Sequence, residues 1–433
     1  MAAGYDVVVV GGGIGGLTVA ALLSARGLGT CVLERQSQVG GCVGRVEFSG
    51  FEFEPGMGVY TSFGKGEIYD RIFAELPVEV PRTSLVAQPY VVRLTDGTDV
   101  KLFRDESFFD ELAAAFPECA DRAIEFYRKP ALEVLSATSL RFQSFVDSQL
   151  RATLSTSRLR EPLYAIDGGV ATLAERLVES IKRSGGSVRL DTPVLRLAYD
   201  ESGAAIGVDL LSGERVTARR AIVSNLTIWD TYGKLVGLNR TPSEIKKQLN
   251  LLESTGAYVV YATIEEPAVR RLPGERMLVA TTPSDADDDW FSEITLAVHG
   301  RTVTLKSTTD VNEWFTYHAS EEDFEESDQA ALERFWTKLH AALPELGSDI
   351  EIIETANPRT FYDQTRRKLG RVMGLTSGLA SGLDSGLQSS KIPLPQTVLP
   401  NLFVVGDTVS AFPDLSSIAQ TALSLAHILK PEA

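Results

Sequence analysis

Cysteine is scarce in this chain of 433 residues, and Cys31, Cys42 and Cys119 are too scattered for a disulfide framework or a metal cluster. That usage fits a reducing compartment. Histidine is nearly as rare: His299, His318, His340 and His427 do not cluster along the chain, and none is expected to be a catalyst. Basic charge is also short. With 42 Lys and Arg against 58 Asp and Glu, the net charge of −16 leaves no surplus to neutralise nucleic-acid phosphates. It equally disfavours broad adhesion to anionic lipid, although a local basic or apolar patch would still permit peripheral membrane contact. Long hydrophobic runs are missing. The apolar stretch 7–10 is far too short to span a membrane, and no basic segment or cleavage site precedes it. A cytoplasmic location, with or without membrane contact, is the simplest expectation. The length predicts two or more domains of ordinary globular composition.

What the chain does have is glycine in an ordered frame. Four consecutive valines, 7–10, suit a strand buried on both faces of a parallel sheet. Gly11, Gly13 and Gly16 follow in a G-x-G-x-x-G frame, with Ile14 and Gly15 inside it. The first glycine lets the chain turn, the second lets backbone N–H groups reach a pyrophosphate, and the third lets helix pack on strand. Helix formers continue to Gly27, a suitable stop. Residues 30–33 read as a second buried strand, ending in Glu34, the acid expected to bind a ribose hydroxyl. A dinucleotide site is predicted, without a choice between FAD and NAD.

The residues that follow bear on that choice. Glu34-Arg35 leads to Gly40-Gly41, then Arg45, then Gly50-Phe51-Glu52-Phe53-Glu54-Pro55-Gly56. Tyr164 to Leu173 contains a Gly168-Gly169 turn into a helix, residues 188–194 form a strand ending at Val194, and Gly406-Asp407 follows an apolar strand. This order resembles the phytoene desaturase-like and flavin-containing amine oxidase superfamily. The family pattern has Gly-Gly-Arg or Gly-Gly-small-small, and Asp where this chain has Glu54. The resemblance implies FAD as cofactor. Gly11, Gly13, Ile14, Gly15, Gly16, Glu34, Arg35, Gly40, Gly41 and Arg45 would lie at its adenosine and diphosphate end. Val194 would meet the adenine through the backbone, and Gly406 and Asp407 the ribityl or phosphate region. A final helix beginning near Ser417 and Ile418, capped by Asp414, would point at the flavin pyrimidine edge. One departure stands out: family desaturases carry glycines after the Gly-Asp pair, and this chain has none between Asp407 and its end.

The resemblance implies an α/β fold of the glutathione-reductase-like class: a Rossmann-like FAD-binding domain carrying an inserted α+β substrate domain. The FAD domain is expected from residues 1–80, 160–235 and 357–433, and the substrate domain from 81–159 and 236–356. Within the insert, residues 106–156 read as helical, three segments between 256 and 318 alternate as strands, and 330–343 reads as an amphipathic helix. No second G-x-G-x-x-G appears, so electrons are expected to leave to oxygen, a quinone or another carrier rather than through an NAD(P)H domain.

The chemistry of the substrate site is less legible, because a flavin carries the reaction and the protein supplies position and electrostatics. No catalytic side chain is assigned. Lys306 resembles the lysine near flavin N5 of amine oxidases, but an outward-facing lysine is an equal reading. Cys42 is either a flavin contact or a small filler, and Arg366-Arg367-Lys368 either orients an acidic substrate or forms a solvated face. Three Ser-Gly-Leu triplets at 377, 381 and 385 read as a packing surface or substrate mouth. The apolar stripe Phe142, Phe145, Val146 and Leu150 reads as core, or as a lipid entrance. Phe361, Tyr362 and Trp314 are candidates for an aromatic pair over the flavin. The expected reaction is desaturation of an apolar polyene or isoprenoid-like substrate. An amine or amino-acid oxidase, a flavin-dependent double-bond isomerase and a non-catalytic flavin carrier are the alternatives.

Overall fold

The computed structural model describes residues 4–87, 90–151, 161–282, 290–315, 321–375, 396–410 and 413–431. The Ser-Gly-Leu triplets, His318 and Ala411-Phe412 lie outside the described residues. The strand Gly4–Val10 lies at the centre of a seven-stranded sheet, parallel to Thr30–Leu33 on one side and to Arg215–Ser224 on the other. Ser187–Arg189 extends one edge, and Leu402–Val404 runs parallel to the end of Arg215–Ser224. An antiparallel hairpin, Val194–Tyr199 with Ala205–Leu210, completes the sheet.

The valine run is continuous because both faces are covered. Val7 and Val9 pack towards helix Ile14–Ala25 and the terminal helix Leu415–Leu429, while Val8 and Val10 pack against Trp229, Tyr232 and Leu402. Gly16 permits the close approach of helix to strand. A β-carbon there would lie 2.5 Å from the Gly11 carbonyl oxygen and 3.1 Å from Val9 Cγ1.

A second seven-stranded sheet has the order Ile350–Ala356, Gly256–Ile264, Thr302–Thr309, Glu293–His299, Arg276–Ala280, Tyr90–Arg93, Asp99–Leu102. All its pairs are antiparallel except Arg276–Ala280 with Tyr90–Arg93. Tyr258, Val260 and Leu305 turn one face towards Phe335 and Leu339 of helix Glu321–Ala342, which starts well before the amphipathic stretch predicted from sequence. Ala257, Val259 and Tyr261 turn the other face towards Phe53. The helices of residues 107–151 pack around Phe116, Phe126, Phe142, Phe145 and Val146, all fully buried. Phe142, Phe145 and Val146 of the predicted stripe are therefore core, not an entrance, while the Leu150 side chain lies outside the described residues.

The segment after the hairpin Val46–Phe48 and Phe51–Phe53 fastens the two sheets together. The Glu54 carboxylate accepts hydrogen bonds from Tyr60 Oη at 2.8 Å and from the Val170 N–H at 2.9 Å, at the start of helix Ala171–Arg183. Its own carbonyl accepts from Thr304 Oγ1 of the second sheet at 3.0 Å. Burial raises the Glu54 pKa, with the Tyr60 and Val170 bonds opposing it. Gly58 passes so close to His299 that a β-carbon would lie 2.1 Å from His299 Cε1. His299 thus departs from the surface or satisfied histidine expected: it is half-buried, and its buried Nε2 has no hydrogen-bond partner. Burial, aided by the nearby Arg276 charge, pulls its pKa from 6.5 to about 4.

Two outcomes follow from this packing. Gly16→Ala should cost about 1–3 kcal/mol by overpacking, read as a lowered thermal midpoint of the apoprotein; an unchanged midpoint would mean that the loop yields freely. His299 is neutral in the fold and takes a proton more readily when unfolded. Its contribution is therefore present above pH 6.5 and is lost as pH falls towards 4, at about 1.4 kcal/mol per pH unit. His299→Gln should flatten stability against pH in that window, and an identical acid limb would refute the assignment.

Candidate functional site

The strand Gly4–Val10 delivers the glycine loop to the carboxyl edge of the first sheet, where open α/β sheets bind ligands. Gly11 takes φ 99°, which a side chain would oppose, and helix Ile14–Ala25 starts at Gly13 with no side-chain cap on its first N–H groups. The second glycine pair comes to the same place. The Gly40 N–H donates to the Gly12 carbonyl at 2.8 Å, and a β-carbon on Gly41 would lie 3.4 Å from Gly13 Cα. Gly40 and Gly41 are both at positive φ, 105° and 61°, so the pair is a required turn rather than a flexible loop.

Glu34, expected from sequence at the adenosine side, stands beside the glycine loop. Its Oε2 accepts from the Gly12 N–H at 2.6 Å and its Oε1 from the Gln36 N–H at 2.8 Å, which fixes the carboxylate beside the loop. The Glu34 carbonyl accepts from the Thr192 N–H at 2.8 Å, and this seats the half-buried Val194 two residues further on. Arg35 reaches across to the carbonyl of Gln364. Arg45 turns to the surface, where it pairs with Glu52 at 2.9 Å and Glu175 at 3.2 Å.

From the far end of the chain, Leu402–Val404 brings Gly406 in at φ 127°, and Asp407 follows. Asp414 caps the terminal helix through the Ser417 N–H at 2.8 Å, and Ile418 Cγ2 would lie 3.1 Å from a β-carbon on Gly15. Gly11, Gly13, Ile14, Gly15, Gly16, Gly40, Gly41, Gly406, Asp407, Ser417 and Ile418 thus meet at one sheet edge. The glycines among them keep side chains off the loop backbone, and a helix start flanked by such backbone suits a dinucleotide diphosphate.

Asn225 was not singled out by the sequence. It ends the strand Arg215–Ser224, with its N–H on the Val10 carbonyl at 2.8 Å. Its carboxamide sits between the two glycine motifs: Nδ2 lies 2.6 Å from a β-carbon built on Gly13, and Oδ1 lies 2.9 Å from one on Gly15 and 3.3 Å from one on Gly406. The Ser-Asn at the strand end was its only signal.

Asp407 is paired with the guanidinium of Arg367 rather than standing alone. The basic run 366–368 is accordingly not a uniform solvated face. Arg366 is exposed and pairs with Asp363, while Arg367 lies inward and Lys368 gives its N–H to buried Asp230 at 3.0 Å.

Lys306 is also placed by pairing. It lies opposite Val259 and Thr295 across neighbouring strands, so its side chain shares the face of Val259 and Tyr261. That face meets the hairpin residues Phe48 and Phe53, together with Phe361, Val372 and Met373. Lys306 is therefore half-buried on the sheet face that meets this hairpin; burial pulls its pKa below the usual ammonium range. It has no carboxylate partner among the described residues. Phe361 belongs to this aromatic wall, whereas Trp314 stacks on Tyr258 in the opposite layer and bonds Thr309. Trp314 is thus no part of an aromatic pair on the cofactor side.

A family model for flavin containing amine oxidoreductase matches residues 99–411, and one for an NAD(P)-binding Rossmann-like domain matches residues 9–76. The chloroplastic prolycopene isomerase of Daucus carota is 23% identical over 512 aligned residues, covering 98% of this chain and 79% of that protein. The all-trans-retinol 13,14-reductase of Homo sapiens is 23% identical over 461, covering 82% and 74%. The solved structure of an oxidoreductase from Methanosarcina mazei superposes with a TM-score of 0.69 at 18% identity, covering 97% of this chain and 99% of that one, which speaks for the fold. The site geometry and the extent of the family match lead to one assignment: this chain belongs to the flavin-containing amine oxidoreductase family.

Proposed function

We propose that the chain binds FAD in the glycine cradle and oxidises an apolar polyene or isoprenoid-like substrate by desaturation. The observation that carries this reading is the wall beside the cradle. Phe48, Phe53, Tyr261, Phe361 and Met373 form an apolar cluster on the sheet face that also carries Lys306, chemistry suited to a hydrocarbon chain rather than to a charged amine. Gly11, Gly13, Gly15, Gly16, Gly40 and Gly41 would hold the diphosphate, Glu34 the ribose, Val194 the adenine edge, and Gly406 with Asp407 the ribityl end. Arg35, Arg45, Ser417 and Ile418 remain proposed contacts of the same site.

Bound FAD supplies a hydride acceptor. The protein's part is to exclude water with the aromatic wall and to receive the proton lost from the carbon next to the oxidised one. Lys306 is suited to receive it, because a half-buried amine with a lowered pKa has a larger neutral fraction available to accept a proton. A redox-neutral isomerisation is the second reading, favoured by the alignment with a prolycopene isomerase along 98% of this chain.

Anaerobic titration of the purified flavoprotein with a cis-carotenoid or a more saturated polyene tests both readings. Bleaching of the oxidised flavin with gain of a double bond supports desaturation. A changed double-bond geometry at constant hydrogen count supports isomerisation, and bleaching by amines alone would overturn both. Lys306→Met should keep the flavin, slow its reduction by about 10²-fold or more, and remove the rise of that rate with pH. Equal rates would exclude Lys306 as the proton acceptor.

A further inference from the structure

The diphosphate of a bound dinucleotide brings concentrated negative charge, and the cradle meets it with backbone N–H groups and glycines. Asp407 adds a further carboxylate on the same rim. Cations are few there: Arg45 is committed to Glu52 and Glu175, and Arg35 to a carbonyl of residue 364. The residue after the glycine pair is Cys42, which carries no charge.

Arg367 supplies what is missing, from 325 residues further along the chain. Its Nη1 lies 3.4 Å from Cys42 Sγ, its Nη2 pairs with Asp407, and its Nε donates to the Arg371 carbonyl at 2.7 Å. The side chains of Arg367 and Asp407 are each 18% exposed, so the pair sits at the lip of the cradle, neither free in solvent nor sealed in the core. Burial opposes the guanidinium charge, and the Asp407 carboxylate favours it.

The backbone holds this placement stiffly. Arg366 and Leu369 adopt φ 56° and 54°, and Gly370 adopts 60° where a β-carbon would lie 1.8 Å from the Pro358 carbonyl. The Lys368 N–H is tied to Asp230. Strain on both sides of one arginine is accounted for if that arginine must stand in one place.

We propose that Arg367 is a cofactor-binding residue: its guanidinium, held by Asp407 beside Cys42 and Gly41, neutralises the diphosphate of FAD. This rests on the FAD reading above. The planar fork of arginine suits phosphate oxygens in a way that a lysine does not.

The test is FAD and riboflavin binding to the full-length apoprotein, followed by flavin fluorescence, with circular dichroism to verify folding. Arg367→Gln should weaken FAD by about 10- to 100-fold and leave riboflavin, which has no phosphate, within about threefold. Adding Cys42→Arg to Arg367→Gln should recover most of the FAD affinity, because a guanidinium from position 42 can reach the same spot. If Arg367→Gln does not fold, Arg367→Lys carries the test, with FAD several-fold weaker and riboflavin unchanged. FAD affinity unchanged in whichever folded variant is measured, or equal losses for FAD and riboflavin, would overturn the proposal. So would full recovery of FAD affinity in Arg367→Gln with Asp407→Asn, since Arg367 would then only be neutralising Asp407. If wild-type protein fails to bind FAD, it is the FAD reading that falls, not the role of Arg367 alone.

Discussion

Close approach of main chain to main chain at the carboxyl edge of the parallel strands is the constraint on which the rest of the molecule depends. Gly11 turns the chain off its strand, Gly16 lets the next helix lie on that strand, and Gly40 bonds back to Gly12. Gly406 arrives from the last strand at a conformation that side chains resist. Each of these glycines costs conformational entropy. Together they bring main chain and a helix start to one edge, the kind of backbone surface that suits an anion.

The second sheet is subordinate to that cradle. It is attached through Glu54, whose carboxylate holds the start of helix Ala171–Arg183 and whose carbonyl holds Thr304. One acidic residue thus ties the cofactor side to the wall that carries Tyr261 and Lys306. This also explains why the Phe-x-Phe-Glu strand follows the glycine pair so closely in sequence. Its Phe53, with Phe48 across the hairpin, forms the near side of the wall, and its acid is bonded to both layers.

The sequence made the cradle legible because glycine spacing, a valine strand and an acid at the second strand end are local signals. What it did not show depends on contacts across long separations. Nothing local to Arg367 says that it meets Asp407, 40 residues away, or Cys42, 325 away. Asn225 looks like any polar strand end until the loop folds over it. His299 reads as a strand-end histidine because its burial comes from Gly58, in another part of the chain. Lys306 was ambiguous for a different reason. Its strand is buried on both faces, so alternation could not tell which side faced the cofactor, and the strand register decided it.

The central claim is that a single dinucleotide flavin occupies the glycine cradle. Equilibrium titration of folded apoprotein with FAD, in the presence and absence of ADP, addresses it most directly. The account predicts saturation at one FAD per chain, with ADP competing because it fills the Glu34 side of the same cradle. Folded protein that does not bind FAD, or that binds it with no effect of ADP at any concentration, would contradict it.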